Sequence, residues 1–352
     1  MSRVLFVSRS TLFSQPGGDT LQMEQTAHFL RKMDIQVDIY THGMVQERDY
    51  DILHFFNSNR PADHLPFLSW SVPKVMSAIH VDYSEYDKLH RGKMFGLLHH
   101  FIGSQGLEYL KVWGRMFRSK ARSAPLTYLL RGHRYSLKKV LKACSAVLTA
   151  SEYEYHLLKQ DSGRDFTHHL VPLGSEHIKI PERKPSLRQG VVCAARIEGL
   201  KNQLQLIRAL NGTDVHLKII GQAAENQPDY YKQCVREADK NIEFTGPLKR
   251  EELDQEFSKA KVHALASYYE TTGLSTLEAL RLGCQAVISN RGAQAEIFGK
   301  HVFYCDPDKP ESIRQAVNEA LANETDHSQW VIDNFSWARA AKKISDIYTS
   351  LL

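Results

Sequence analysis

The sequence predicts an α/β protein built on two parallel sheets, and three observations carry that reading. Short apolar runs alternate with segments of helical period, and the alternation occurs twice along the chain. The 352 residues also exceed the size at which one hydrophobic core usually keeps growing. Two Rossmann-like halves follow.

In the first half, Val4–Ser8 reads as a strand. A loop containing Gly17, Gly18 and Asp19 leads into a helix over Thr20–Met33, where Leu21, Met23, Ala27, Phe29 and Leu30 favour one side. Further strands are predicted at Ile35–Tyr40, Asp51–Phe56, Pro73–Ile79, Ala146–Ala150 and His169–Leu173. Strands alternating with helices imply parallel pairing through right-handed crossovers. The stretch Ile180–Gly190 is polar, carries two prolines and lacks periodicity, so the linker is placed there.

The second half repeats the pattern with strands at Val191–Ala195, Val215–Gly221, Ile242–Phe244, Val262–Ala266, Ala286–Ser289 and Val302–Tyr304. Helices are predicted between them, notably Asn202–Leu210, Asp229–Asp239, Arg250–Ala260 and Pro310–Ala322. A last helix, Ser336–Leu351, follows every strand and needs a surface to pack on.

Composition is that of a soluble globular protein. Five cysteines without C-x-x-C spacing read as reduced, buried thiols, and nothing resembles a zinc cluster. No secretory hydrophobic region follows Met1 and no apolar run approaches about 18 residues, so a cytoplasmic protein that does not span a bilayer is expected. The net charge of +5 hides an asymmetry: residues 88–142 hold thirteen lysines and arginines against one acid, Glu108. Met94, Phe95, Phe101, Trp113 and Phe117 are interleaved with them, a mixture suited to an anionic lipid surface; a solvated helical insertion packed on the domain is the alternative. No RNA or DNA motif accompanies the basic run, so nucleic acid is not expected as a partner.

Chemistry concentrates in the second half. Glu270-Thr-Thr-Gly-Leu-Ser-Thr-Leu-Glu278 follows a buried strand and opens a helix, so Gly273 lets backbone approach a ligand while the amides of residues 273–276 face outward at a positive helix end. Upstream, Gly190-Val-Val-Cys-Ala-Ala-Arg196-Ile-Glu-Gly-Leu-Lys201-Asn is again strand, loop, helix. If both units share one parallel sheet, Arg196 and Lys201 emerge at the same carboxyl edge as Glu270, where open α/β sheets bind ligands.

These two elements, with Gly283-Cys-Gln-Ala-Val-Ile-Ser-Asn-Arg-Gly-Ala-Gln-Ala-Glu296, resemble the retaining glycosyltransferases of the GT-B fold usually called family four (glycosyl transferases group 1), over most of residues 187–325. Ala266-Ser267 and Thr272-Gly273 depart from the family's usual Pro-Ser and Phe-Gly. The resemblance implies two Rossmann-like domains facing each other across a cleft: 1–180 on the acceptor side with the basic insertion, 181–335 for the nucleotide sugar, and a helix 336–352 crossing back to the first domain. It implies that Arg196 and Lys201 grip a donor diphosphate, that Glu270 contacts the sugar, and that Glu278 accepts from the ribose hydroxyls. By the same resemblance, the backbone of Gly273, Leu274 and Ser275 meets the donor, Thr245 and Gly246 hold the nucleobase, and Glu296 supports the phosphate-side loop. Gly17 and Gly18 approach phosphates and acceptor, and His80, with Asp82 behind it, contacts the sugar.

The implied activity is transfer of a hexose from a UDP- or GDP-sugar, with no metal and no further cofactor, to a saccharide or lipid-linked acceptor at the inner face of the cytoplasmic membrane. Cell-surface polysaccharide or lipopolysaccharide synthesis would use it. The alternatives are another GT-B enzyme on such donors, an epimerase or phosphorylase, or a non-catalytic basic module binding membrane or nucleic acid.

Overall fold

The computed structural model of the chain describes residues 2–14, 16–81, 125–175 and 188–352. The basic segment 88–142 is thus described only from residue 125 onward, and Asp82 and residues 180–187 of the expected linker lie outside the described residues. Two compact units are formed, one of Met1–Leu173 with Trp337–Leu352, the other of Gly174–Ser336. They divide ahead of residue 181 because the chain has already joined the second unit there: the Ser175 amide donates to the Phe335 carbonyl.

The first unit holds six parallel strands, β1 (Arg3–Val7), β2 (Gln36–Tyr40), β3 (Ile52–Phe56), β4 (Lys74–Ser77), β5 (Ala146–Thr149) and β6 (His168–Leu170), in the order β2-β1-β3-β4-β5-β6. Every residue of β3, β4 and β5 is buried, including the polar Lys74, Ser77, His54 and Thr149, because both sheet faces are covered. On one face Val4, Phe6, Ile52 and Val75 pack with Met23 and Leu30 of the helix Gly18–Arg31. On the other, Leu5, Leu53, Phe55 and Met76 meet Leu137, Val140 and Leu141 of the helix Leu126–Ala143.

The last helix, Trp337–Leu351, belongs to this first unit. Its buried residues Trp337, Ala340, Ala341, Ile344, Ile347 and Tyr348 recur every three or four positions, so one stripe faces the sheet. Tyr348 ends that stripe with its hydroxyl 2.5 Å from His54 Nδ1, while His54 Nε2 lies 2.9 Å from Ser77 Oγ.

In the second unit β7 (Val191–Ala194), β8 (Leu217–Ile220), β9 (Ile242–Gly246), β10 (Val262–Leu265), β11 (Gln285–Ser289) and β12 (Phe303–Cys305) form a parallel sheet in the order β12-β11-β10-β7-β8-β9. The chain runs outward from β7 to β9, then returns to lay β10 against the other side of β7, with Val262 opposite Val191. The loops after β7 and β10 therefore leave in opposite directions from adjacent strand ends, opening a crevice at the carboxyl edge.

All five cysteines are free, and burial pushes the Cys193, Cys284 and Cys305 thiols up to about 12, so they stay protonated packing groups. Among the described residues no helix is long and apolar enough to cross a membrane.

Candidate functional site

Parallel strands present their carboxyl ends on one edge, so the topology alone brings the loops after β7 and β10 together. The side chains complete the meeting. Lys201 Nζ donates to Glu270 Oε1 at 2.6 Å, and Ser267 Oγ donates to the same oxygen at 2.8 Å. Glu270 is nearly buried while Lys201 keeps a modest exposure, so the pair sits at the mouth of the edge rather than in the core. Arg196 is 46% exposed and reaches Glu198 Oε1 at 3.3 Å, an ion pair loose enough to exchange for a ligand anion.

The loop carrying Glu270 is shaped by two glycines. Gly273 caps the helix Leu274–Arg281 at φ +73°, a left-handed conformation that side chains resist, and a Cβ there would lie 3.2 Å from both polar atoms of the Gln294 carboxamide. Gly292, at φ +67°, passes so close to the Glu270 carbonyl that a Cβ would fall 2.5 Å from its oxygen. The Thr276 and Leu277 amides donate to the Gly273 carbonyl. This corrects the expected outward set of 273–276 at Thr276 alone: its amide closes a tight first turn, leaving Gly273 at the cap and Leu274 and Ser275 at the helix start without an intrahelical acceptor. Around them the Thr272 and Thr276 hydroxyls and the Gln294 Nε2 are buried without a bond.

Glu278 lies within that helix, nearly buried, with Oε1 accepting from Arg250 Nη1 at 2.6 Å. Burial opposes the Arg250 cation, yet Glu278 and Asp254 hold its pKa above the usual arginine value. Thr245 and Gly246 end β9, two strands out from β7, with Gly246 accepting from the Gly221 amide at 3.0 Å. Glu296 falls on the short helix Gln294–Phe298 after β11.

Predicted residues of the first unit have partners of their own. Gly17 caps the helix Gly18–Arg31, with its amide donating to Thr20 Oγ1 at 3.2 Å; its backbone is extended, a conformation open to any residue. Beside it Arg9 pairs with Asp19 at 2.7 Å; burial raises the Asp19 pKa, but the guanidinium outweighs it and holds the carboxyl below its usual range. His80 is buried, with Nδ1 2.8 Å from Ser58 Oγ, Nε2 2.9 Å from Asp161 Oδ2, and its amide donating to Glu154 Oε1 at 2.7 Å.

Three participants were given no role in the sequence reading. Arg250 meets Glu278 across 28 positions, Ser267 joins Glu270 only through the turn of its loop, and Gln294 reaches Gly273 from another helix.

Residues 175–348 match the family described as Glycosyl transferases group 1. Over 206 residues the chain is 27% identical to the serotype-specific mannosyltransferase WbdA of Escherichia coli, an alignment covering 54% of this chain and 25% of that protein. The chain thus spans about a quarter of the length of the curated relatives it matches. Among solved structures it resembles sucrose-phosphate synthase from Thermosynechococcus elongatus, with a TM-score of 0.73 and 14% identity over 100% of this chain and 99% of the other. It also resembles Anabaena HepE, solved in complex with UDP and glucose, with a TM-score of 0.72 and 14% identity over 99% and 100%. At such identity these likenesses speak for the fold, the GT-B arrangement of two parallel sheets.

Proposed function

We propose, from the match of residues 175–348 to the glycosyl transferases group 1, that the chain is a retaining glycosyltransferase that moves a hexose from a nucleotide diphosphate sugar. The single observation that carries this reading is the Lys201–Glu270 contact beside the Gly273 helix start. A cation, a carboxylate and outward amides at one strand edge match a donor whose diphosphate is negative and whose sugar is rich in hydroxyls.

On this reading Arg196 and Lys201 stabilise charge building on the leaving diphosphate, together with the amides of Leu274 and Ser275. Arg196 exchanges its loose contact with Glu198 for a phosphate oxygen. Glu270 steadies the developing positive charge at the anomeric carbon and accepts from sugar hydroxyls through Oε2, the oxygen not engaged by Lys201 and Ser267. Glu278, fixed by Arg250, accepts from the ribose. The leaving phosphate takes the acceptor's proton on the face it departs from, so configuration is retained without a second carboxylic acid. Paired cations and the helix start take the part a divalent ion plays elsewhere, and the expected outcome of an EDTA assay is undiminished turnover. A sugar contact from His80 would require it to give up Ser58 or Asp161.

The relative's description as a mannosyltransferase and the neighbour's complex with UDP and glucose both favour a hexose donor, and the neighbour's ligand favours UDP as its carrier. The acceptor we propose is a saccharide or lipid-linked saccharide at the inner membrane face. The described end of the basic segment supports this, since the helix Leu126–Ala143 exposes Leu126, Leu130 and Tyr135 beside Arg131, Arg134 and Lys138. Thermal stabilisation by UDP, GDP and their sugar conjugates identifies the donor by mass action, about 2.7 kcal/mol at a hundredfold excess over Kd. Proton NMR of the product then reads the anomeric configuration; an inverted product overturns the mechanism.

A further inference from the structure

Asn202 follows Lys201 and ties its own loop to two others at this edge. Its backbone is left-handed, at φ +58°, a conformation that asparagine tolerates better than most residues. Its side chain is buried, and both hydrogens of Nδ2 are used: one goes to the Ala266 carbonyl after β10 at 3.0 Å, the other to the Pro307 carbonyl after β12 at 2.8 Å. A parallel tie runs from the Tyr268 amide to the Leu200 carbonyl at 2.9 Å. Residues 200 and 202 are thus clamped to 268 and 266, and the Lys201–Glu270 contact lies directly beside this double strap.

We propose that Asn202 is a positioning residue for the transfer reaction: by strapping the loop after β7 to the loops after β10 and β12, it sets the height at which Lys201 meets Glu270. Residue type follows from the demand. Glycine satisfies the backbone but supplies no donors, and aspartate has the size but turns two oxygens toward two carbonyls. Lysine is long and flexible, so without the strap its ammonium samples many positions, and a displacement of about 1 Å at a reacting centre costs on the order of 100-fold in rate. With its Nδ2 committed to the Ala266 and Pro307 carbonyls, Asn202 acts on Lys201 through the loop it holds.

Asn202→Gly and Asn202→Asp separate the bonds from the backbone conformation. The activity arm rests on the glycosyltransferase reading: kcat falls on the order of 100-fold in both variants, while donor KM changes by less. Two further readouts need no substrate, so failure of that reading and failure of this proposal are distinguishable. In the wild-type protein, the Asn202 side-chain amide protons exchange slowly with solvent. In Asn202→Gly, which keeps the left-handed backbone, Lys201 is acylated several-fold faster by an N-hydroxysuccinimide ester, read by peptide mass spectrometry, at a temperature where melting curves show both proteins folded. A purely structural role lowers the melting temperature and leaves Lys201 reactivity unchanged, which overturns the proposal. Fast exchange of the Asn202 amide protons in the wild type overturns it without any variant.

Discussion

The two sheets each have six parallel strands, in different orders, and their carboxyl edges differ in what their polar groups do. In the first unit the charged groups pair with one another, Arg9 with Asp19 and His80 with Ser58, Asp161 and Glu154, although Ser8 Oγ after β1 and Asn57 Oδ1 after β3 are also buried without a bond. In the second, Lys201 and Glu270 are paired, but Arg196 stays half exposed, Leu274 and Ser275 keep their amides, and Thr272, Thr276 and Gln294 bury polar atoms without bonds. Buried polar atoms left unbonded are costly, on the order of 1–3 kcal/mol each, so an edge that keeps several has capacity for a ligand. What sets the second edge apart is a half-exposed cation, Arg196, together with the open helix-start amides of Leu274 and Ser275.

Breaking the second edge should therefore abolish chemistry, and breaking the first should loosen the fold. Glu270→Ala and Lys201→Ala should each cut kcat by on the order of 10²–10³-fold in steady-state assays of donor turnover, by analogy with removing an oxyanion-hole donor. Gly273→Ala should come next. Its forced left-handed backbone costs roughly 1–2 kcal/mol, read by denaturant unfolding, and the new methyl pushes the Gln294 carboxamide, weakening donor binding as well. His80→Ala should lower stability by about 1–3 kcal/mol through the groups it orphans while leaving donor affinity unchanged in calorimetry. An effect of the opposite kind, lost affinity at full stability, would draw His80 into the site.

A pH series sharpens the comparison further. Burial lowers the pKa of His54 and His64 in the first unit to about 3, and that of His263 in the second to about 4. Each is neutral when folded but takes a proton when unfolded below about 6.5. Stability is therefore fully present above about pH 6.5 and is lost as pH falls toward 3 or 4, at up to about 1.4 kcal/mol per pH unit for each histidine. Melting temperatures between pH 7 and 4 check the sign, and His54→Gln should flatten the slope.

Much of the fold was legible because strands buried on both faces spell it out: runs such as Ile52–Phe56 and Val262–Leu265 have no polar alternation to misread. The helix Glu152–Ser162 was missed because its sequence, EYEYHLLKQDS, has little apolar stripe, although its caps were readable: Ser151 accepts from the Glu154 amide and Gly163 closes the end left-handed. At the site, local chemistry such as Gly273 before a helix could be read directly. Contacts across the fold could not: Lys201 is 69 positions from Glu270, and only the return of β10 to the side of β7 joins them.

Isothermal titration of UDP and GDP into the wild type, Lys201→Ala and His80→Asn tests the central claim most directly, that the second sheet's edge holds a nucleotide diphosphate. The account predicts binding of one nucleotide by the wild type, at least tenfold weaker binding by Lys201→Ala, and unchanged binding by His80→Asn. Failure of the wild type to bind either nucleotide, or equal affinity in Lys201→Ala, would contradict it.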